Sequence, residues 1–154
     1  MSCVVIEMPP LSLIAKFGKV MTFEYGDLTP SHFSASINWI VEMSDATKWA
    51  LTNEEAALLS GMNVGEYAEA RKMAYECTLF ALRAKSTERI SLLLQIWRKL
   101  DALGFDERTS ISVFNKPNNS KLLKGESIKV FLLESNSLTG FYAINLYLES
   151  ISEI

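Results

Sequence analysis

Histidine occurs once and cysteine twice in the 154 residues, and this scarcity sets the first limits. The lone His32 has no serine, cysteine or aspartate partner at a recognisable catalytic spacing, and is expected to be a surface or capping residue. Cys3 and Cys77 stand in no motif and sit among apolar neighbours, as reduced thiols do, with Cys77 expected in the core. Zinc-type ligand spacing is absent, so no metal is expected. No apolar run approaches the roughly 18 residues that a membrane span needs. The opening MSCVVIEMPP has no basic region ahead of its apolar part, which Glu7 interrupts. That is not the pattern of a secretory signal, and the expectation is a cytoplasmic protein without membrane contact. There is no glycine-rich phosphate loop, no GxSxG and no HExxH. The carboxylates fall at helix starts and on helix faces, so no cofactor and no catalytic residue is expected. Positive charge is not in excess either: 15 Lys and Arg against 18 Asp and Glu give a net charge of −3. A dedicated non-specific nucleic-acid binder is basic overall, although a local basic patch remains open. No internal repeat or low-complexity segment is visible.

What is present is an ordinary globular composition, 49% hydrophobic and 21% charged, far from that of disordered chains. A chain of this size buries about 70% of its unfolded surface and folds without staples, as one domain or two small ones. Residues 1–28 form an uncertain N-terminal arm, with a strand-like Val4–Ile6 cut short by Pro9 and Pro10. Thr29-Pro30 starts a helix, a capping hydroxyl followed by proline in the first turn. Phe33, Ile37, Ile40 and Val41 then recur at helical spacing, with Met43 close by. Trp39 and Trp49 add bulk.

Thr52 to Glu55 matches a capping box, and Gly61 stands where a left-handed helix end needs glycine. Asn63 caps the next helix. Helix, tight glycine turn and helix make a helix-turn-helix pattern, in which the second helix would enter a DNA groove. Asn63, Arg71 and Lys72 are the candidates for base or phosphate contacts, with Tyr67 beside them. Glu66 and Glu69 on the same outer face oppose phosphate. The helix is expected to run on to Lys85, along a stripe of mostly small residues: Tyr67, Ala70, Ala74, Cys77, Ala81 and Ala84.

Ser86 or Thr87 is expected to start the next helix, with Ile90, Leu93, Leu94, Trp97 and Leu100 as its buried face. Leu92, Ile96 and Leu103 widen that face, leaving little more than Glu88, Arg89, Gln95, Arg98, Lys99 and Asp101 for water. Gly104 ends it. Asp106 caps a short helix carrying Ile111, Val113 and Phe114, and Pro117 closes it. Asn118 to Ser120 is a turn, Gly125 allows another, and Ser127 caps a helix through Leu133. Thr139 is expected to cap the last helix, with Phe141, Ile144, Leu148 and Ile151 at core spacing. Between Asn115 and Lys129 four lysines (Lys116, Lys121, Lys124 and Lys129) stand against Glu126 alone. This basic stretch suits an acidic partner surface or a phosphate.

The order of parts from Glu88 to Leu148 resembles the C-terminal toxin-binding domain of the Xre/MbcA/ParS antitoxin family. Glu88-Arg89 opens the leucine-rich helix, and Phe114 stands at or next to the family's tryptophan position. Pro117-Asn118 match its Pro-Asn pair. Leu122 or Leu123 matches its leucine, Gly125 its turn glycine, and Ser127-Ile128 fall where Ser-Pro is usual. Upstream, Leu51 to Arg71 resembles the Xre-like helix-turn-helix. The resemblance implies an all-α protein: residues 29–85 as a helix-turn-helix-like domain, packed on a small helical domain at residues 86–154. It implies a dimeric antitoxin that covers the active-site mouth of a RES-domain toxin, an enzyme that degrades NAD⁺, and that represses its own operon by binding operator DNA. Toxin contacts would come from Asn115, Lys116, Pro117, Asn118, Lys121, Leu122, Lys124 and Gly125. The rival readings are a stand-alone transcription regulator of the same fold, a helical scaffold or dimerisation module without DNA binding, and a small enzyme.

Overall fold

The computed structural model describes residues 30–76, 82–103 and 106–152, and all regular structure among them is α-helical. The fold is all-α, as expected. The N-terminal arm, Thr29, Cys77, Ala81 and Gly104 lie outside the described residues.

Helix α1 spans Pro30–Met43. Phe33, Ile37, Ile40 and Met43 are buried, with Trp39 on the same helix 1% exposed. Val41, expected on the apolar face, is instead 39% exposed, because it projects away from the stripe that meets the rest of the core. The helix unwinds through Ser44, whose hydroxyl donates to the Ile40 carbonyl at 2.7 Å. A turn at Asp45–Ala50 follows, closed by Trp49 N to Met43 O at 2.8 Å and Ala50 N to Asp45 O at 3.0 Å. Ala50 takes a φ of +52°.

Helix α2 spans Asn53–Leu59 and α3 spans Val64–Tyr75. Both begin with complete capping boxes, Thr52 with Glu55 and Asn63 with Glu66, each pair satisfying two otherwise orphan N–H groups. Gly61, at φ +71°, turns the chain between them, a conformation that costs any residue with a Cβ. Helix α3 ends at Tyr75, short of Lys85, and Arg83 is extended at φ −64° and ψ 154°. The small-residue stripe indicated which face is apolar and not which partner it meets. Helix α3 packs on α1 and α2, whereas the following helix packs on later elements, and one straight helix cannot serve both.

Helix α4 spans Ala84–Ala102 and starts ahead of the expected hydroxyls, without a side-chain cap. Thr87 instead donates back to Arg83 O at 3.0 Å and Ser86 reaches Gly61 O at 3.4 Å. Ile90, Leu92, Leu93, Leu94, Ile96 and Leu100 are buried as expected. Arg89 and Gln95, expected in water, are also buried, at 6% and 4% exposure. Between Ser86 and Ile96 almost the whole helix circumference is covered, so even its polar positions are drawn inside.

Helix α5 spans Glu107–Asn115, capped by Asp106, and α6 spans Ile128–Ser135, capped by Ser127. Helix α6 runs two residues past Leu133 and stops at Asn136, which takes the left-handed conformation at φ 41°. Helix α7 spans Leu138–Ser152. Its first turn is capped by Ser137, whose Oγ accepts from Gly140 N at 3.4 Å, and not by Thr139. Phe141, Ile144 and Leu148 are buried and Ile151 is half-buried. Helix α4 lies against α7 and α5, α6 bridges α5 and α7, and α2 touches α6. The buried apolar residues from Phe33 to Leu148 form one hydrophobic cluster that crosses the expected boundary at residue 85/86.

Candidate functional site

The segment joining α5 to α6 is a surface loop held by its own hydrogen bonds. Lys116 is extended, at φ −91° and ψ 145°, as the residue before a proline must be, and Pro117 therefore leaves the helix at a fixed angle. Asn118 makes an Asx turn, its Oδ1 accepting from Ser120 N at 2.7 Å. Its backbone closes the loop: Asn118 N donates to Glu126 O at 3.0 Å, and Gly125 N donates to Asn118 O at 2.8 Å. Ser120 holds the far side, accepting from Lys124 N at its carbonyl and from Leu123 N at its hydroxyl. Lys124 and Gly125 are both left-handed, at φ 50° and 87°. Leu123 anchors the loop from below, 1% exposed, and Leu122 is half-buried beside it.

The loop is also tied to the N-terminal half at both ends. Asn115 donates through Nδ2 to Lys48 O at 2.8 Å, and Lys129 Nζ donates to Trp49 O at 2.9 Å. Lys129 is thus spent on structure. Lys116, Lys121 and Lys124 are exposed, and none of the three pairs with a carboxylate of the described residues. Of the eight residues expected to contact a partner, Lys116, Pro117, Asn118, Lys121, Lys124 and Gly125 share one exposed loop. Leu122 lies half beneath it, and Asn115 is an anchor.

The four residues expected to meet DNA do not gather on one face. Asn63 is exposed but its Oδ1 is committed to Glu66 N at 2.8 Å. Tyr67 is 2% exposed and turned towards Ser44, so it presents no outer surface; this corrects the expectation. Burial holds its phenol above the ordinary tyrosine value. Arg71 is half-buried, its guanidinium 5.6 Å from the Tyr67 ring and its Nη1 bonded to Asn53 Oδ1 at 2.9 Å. It lines an open cleft of about 480 Å³ with Glu42, Asp45 and Lys48. Lys72 is exposed, on the same helix as Glu69 and as Glu66, whose carboxylate meets Arg83 at 3.4 Å.

Arg89 was missed as a site residue. Its guanidinium donates to Leu58 O at 3.3 Å, to Asn136 Oδ1 at 3.1 Å and to Asn136 O at 3.3 Å, and lies 5.5 Å from the Phe141 ring. Leu58 and Asn136 stand at the C-terminal ends of α2 and α6, where the helix dipoles are negative, and Leu58 O also accepts from Gly61 N at 3.1 Å. Those two helix ends take the place of a carboxylate. Burial lowers its pKa from the ordinary arginine value. The available signal was the unbroken ISLLLQIW run, which marks a helix covered on all sides.

Among the described residues no group of three histidine, cysteine, aspartate or glutamate side chains is placed to hold a metal ion, and no helix is long and apolar enough to cross a membrane. No family model, no curated protein and no solved structure matches this chain.

Proposed function

We propose that this chain is an antitoxin of type II systems, which binds a RES-domain, NAD⁺-degrading toxin through the Asn115–Gly125 loop and covers its active-site mouth. The observation that carries the reading is the combination of a rigidly stitched loop with three unpaired lysines on it. A loop fixed by its own hydrogen bonds loses little conformational freedom on binding. Exposed lysines without internal partners speed and orient docking on an acidic surface. The resemblance over Glu88 to Leu148 supplies the identity of the partner class. We do not extend the proposal to operator DNA. Tyr67 is buried, Asn63 and Arg71 are engaged within the fold, and Glu66 and Glu69 stand on the same helix as Lys72.

The test is titration of the purified chain into a panel of RES-domain enzymes while NAD⁺ consumption is followed. At least one enzyme should be inhibited at a stoichiometric ratio. Lys121→Glu combined with Lys124→Glu should weaken that inhibition by about tenfold, the effect of reversing two peripheral charges, and leave the thermal unfolding midpoint unchanged. Absence of any inhibition across the panel overturns the toxin assignment, and an unchanged affinity of the double variant overturns the role of the loop.

A further inference from the structure

The cleft of about 480 Å³ that Arg71 lines lies where α3 packs on α1 and on the turn that follows it. Four charged side chains line it, Glu42, Asp45, Lys48 and Arg71, and their charges sum to zero. Two of them cancel in place, with Lys48 Nζ 2.7 Å from Glu42 Oε1. The other two do not. Neither Asp45 nor Arg71 makes an ion pair with a described residue. The cleft therefore keeps one open charge of each sign, supplied by two different elements.

Both open charges are held in position. Asp45 Oδ1 accepts from Thr47 Oγ1 at 2.5 Å and from Thr47 N at 2.8 Å. These bonds lower its pKa below the ordinary aspartate value, so it stays a carboxylate. Arg71 lies 5.6 Å from the Tyr67 ring and spends one donor on Asn53 Oδ1 at 2.9 Å. A guanidinium has five N–H donors in a planar fork, so most of the fork remains for a carboxylate, with its orientation already fixed. Tyr67 links the two charges: its ring supports Arg71, and its hydroxyl meets Ser44, the sequence neighbour of Asp45. Glu42 Oε2 is buried without a hydrogen-bond partner among the described residues, an acceptor that an ammonium would satisfy. Val41, 39% exposed, adds an apolar contact to the lining. Such a lining selects by charge pattern. A simple anion is drawn to Arg71 and repelled by Asp45, and a simple ammonium meets the reverse. A molecule that carries both charges satisfies both.

We infer that this cleft binds a free amino acid with an aliphatic side chain: its carboxylate on the Arg71 fork, its ammonium towards Asp45 and Glu42, and its side chain against Val41. The site is separate from the α5–α6 loop, and its occupancy does not depend on toxin binding. Each end of the ligand can be removed without altering the protein. L-Leucine, titrated at constant pH and ionic strength, should shift the Thr47 and Asn53 backbone amide signals of a ¹H–¹⁵N spectrum along a saturating curve. The Kd should be about 1 mM or tighter, the range open to a ligand of this size. N-Acetylleucine, which lacks the ammonium, and leucine amide, which lacks the carboxylate, should each bind about tenfold more weakly, the worth of a charge-assisted contact. Glycine, with no side chain for Val41, should also bind more weakly than leucine. Asp45→Asn keeps the acceptor for Thr47, and Arg71→Lys keeps the charge without the fork; each should weaken leucine by about tenfold as well. Unmoved signals from residues far from the cleft, such as Leu146, establish that the variants are folded. Shifts that never saturate, a capped ligand or glycine that binds as tightly as leucine, or two variants with unchanged affinity would each overturn the assignment.

Discussion

At the scale of single residues, Arg89 is a buried charge held by two helix ends. A buried charge normally demands an opposite charge, and here two helix termini supply the negative potential. Arg89→Ala should cost about 3 kcal/mol in urea denaturation, the sum of a lost side-chain volume and the lost bonds to Leu58 O, Asn136 O and Asn136 Oδ1. Arg89→Lys should recover less than half of that, because one ammonium cannot reproduce a fork that spans both carbonyls. Full rescue by lysine would show that charge alone matters. Gly61 belongs to the same site: a Cβ there meets Arg89 Cδ at 3.0 Å in a left-handed backbone, whereas at Gly125 the nearest atom is 3.7 Å away. Gly61→Ala should therefore destabilise more than Gly125→Ala, which carries only the backbone cost of about 1 kcal/mol. When protonated, the Glu126 carboxyl donates a hydrogen bond to Glu134, and this contact, then desolvation and mutual repulsion, raise its pKa above the ordinary glutamate value. A raised carboxyl pKa favours folding while the group is protonated, so the contribution is present below the unfolded value and disappears as pH rises through the folded one. Glu134→Gln should thus raise the thermal midpoint at about pH 7 and fail to raise it at about pH 4. A shift of equal size at both values would contradict the pairing.

At the scale of elements, most starts and stops were legible because they depend on neighbours in sequence. Thr52, Asn63, Asp106 and Ser127 act as caps through bonds to residues three ahead, and Gly61, Gly125 and Pro117 act through their own backbone restrictions. The errors fell where distant partners decide. The stop after Tyr75 and the burial of Arg89 and Gln95 follow from which helix packs on which, and spacing alone carries no record of that; Tyr67 is buried with Ala70 and Ala74, on the stripe that spacing did mark. The basic loop was legible as a charge pattern and its turns as residue chemistry, but the ties of Asn115 and Lys129 to the Lys48–Trp49 turn are long-range and left no local signal. Capping and DNA contact at Asn63 can be separated by experiment. Asn63→Asp should keep stability within about 0.5 kcal/mol, since aspartate caps as well as asparagine, whereas Asn63→Ala should cost about 1 kcal/mol. A loss with aspartate as large as with alanine would count against the cap.

At the scale of the whole molecule, the hydrophobic cluster runs without a break from α1 to α7, and the Arg89, Asn115 and Lys129 bonds cross from the earlier helices to the later ones. Such continuity implies cooperative loss of structure. Far-ultraviolet circular dichroism should report one urea transition, with the same midpoint as near-ultraviolet signals, and fragments cut at residue 85/86 should each fail to fold. Two resolved transitions would show that the halves are independent. The paired ties at Lys48 and Trp49 have one more consequence. The ends of the lysine-bearing loop grip the main chain on either side of an indole that stacks on Phe114, so a macromolecule settling on that loop strains the clamp around a native chromophore. Complex formation should therefore be visible, without any attached dye, as a change in the intensity or wavelength of the chain's own emission.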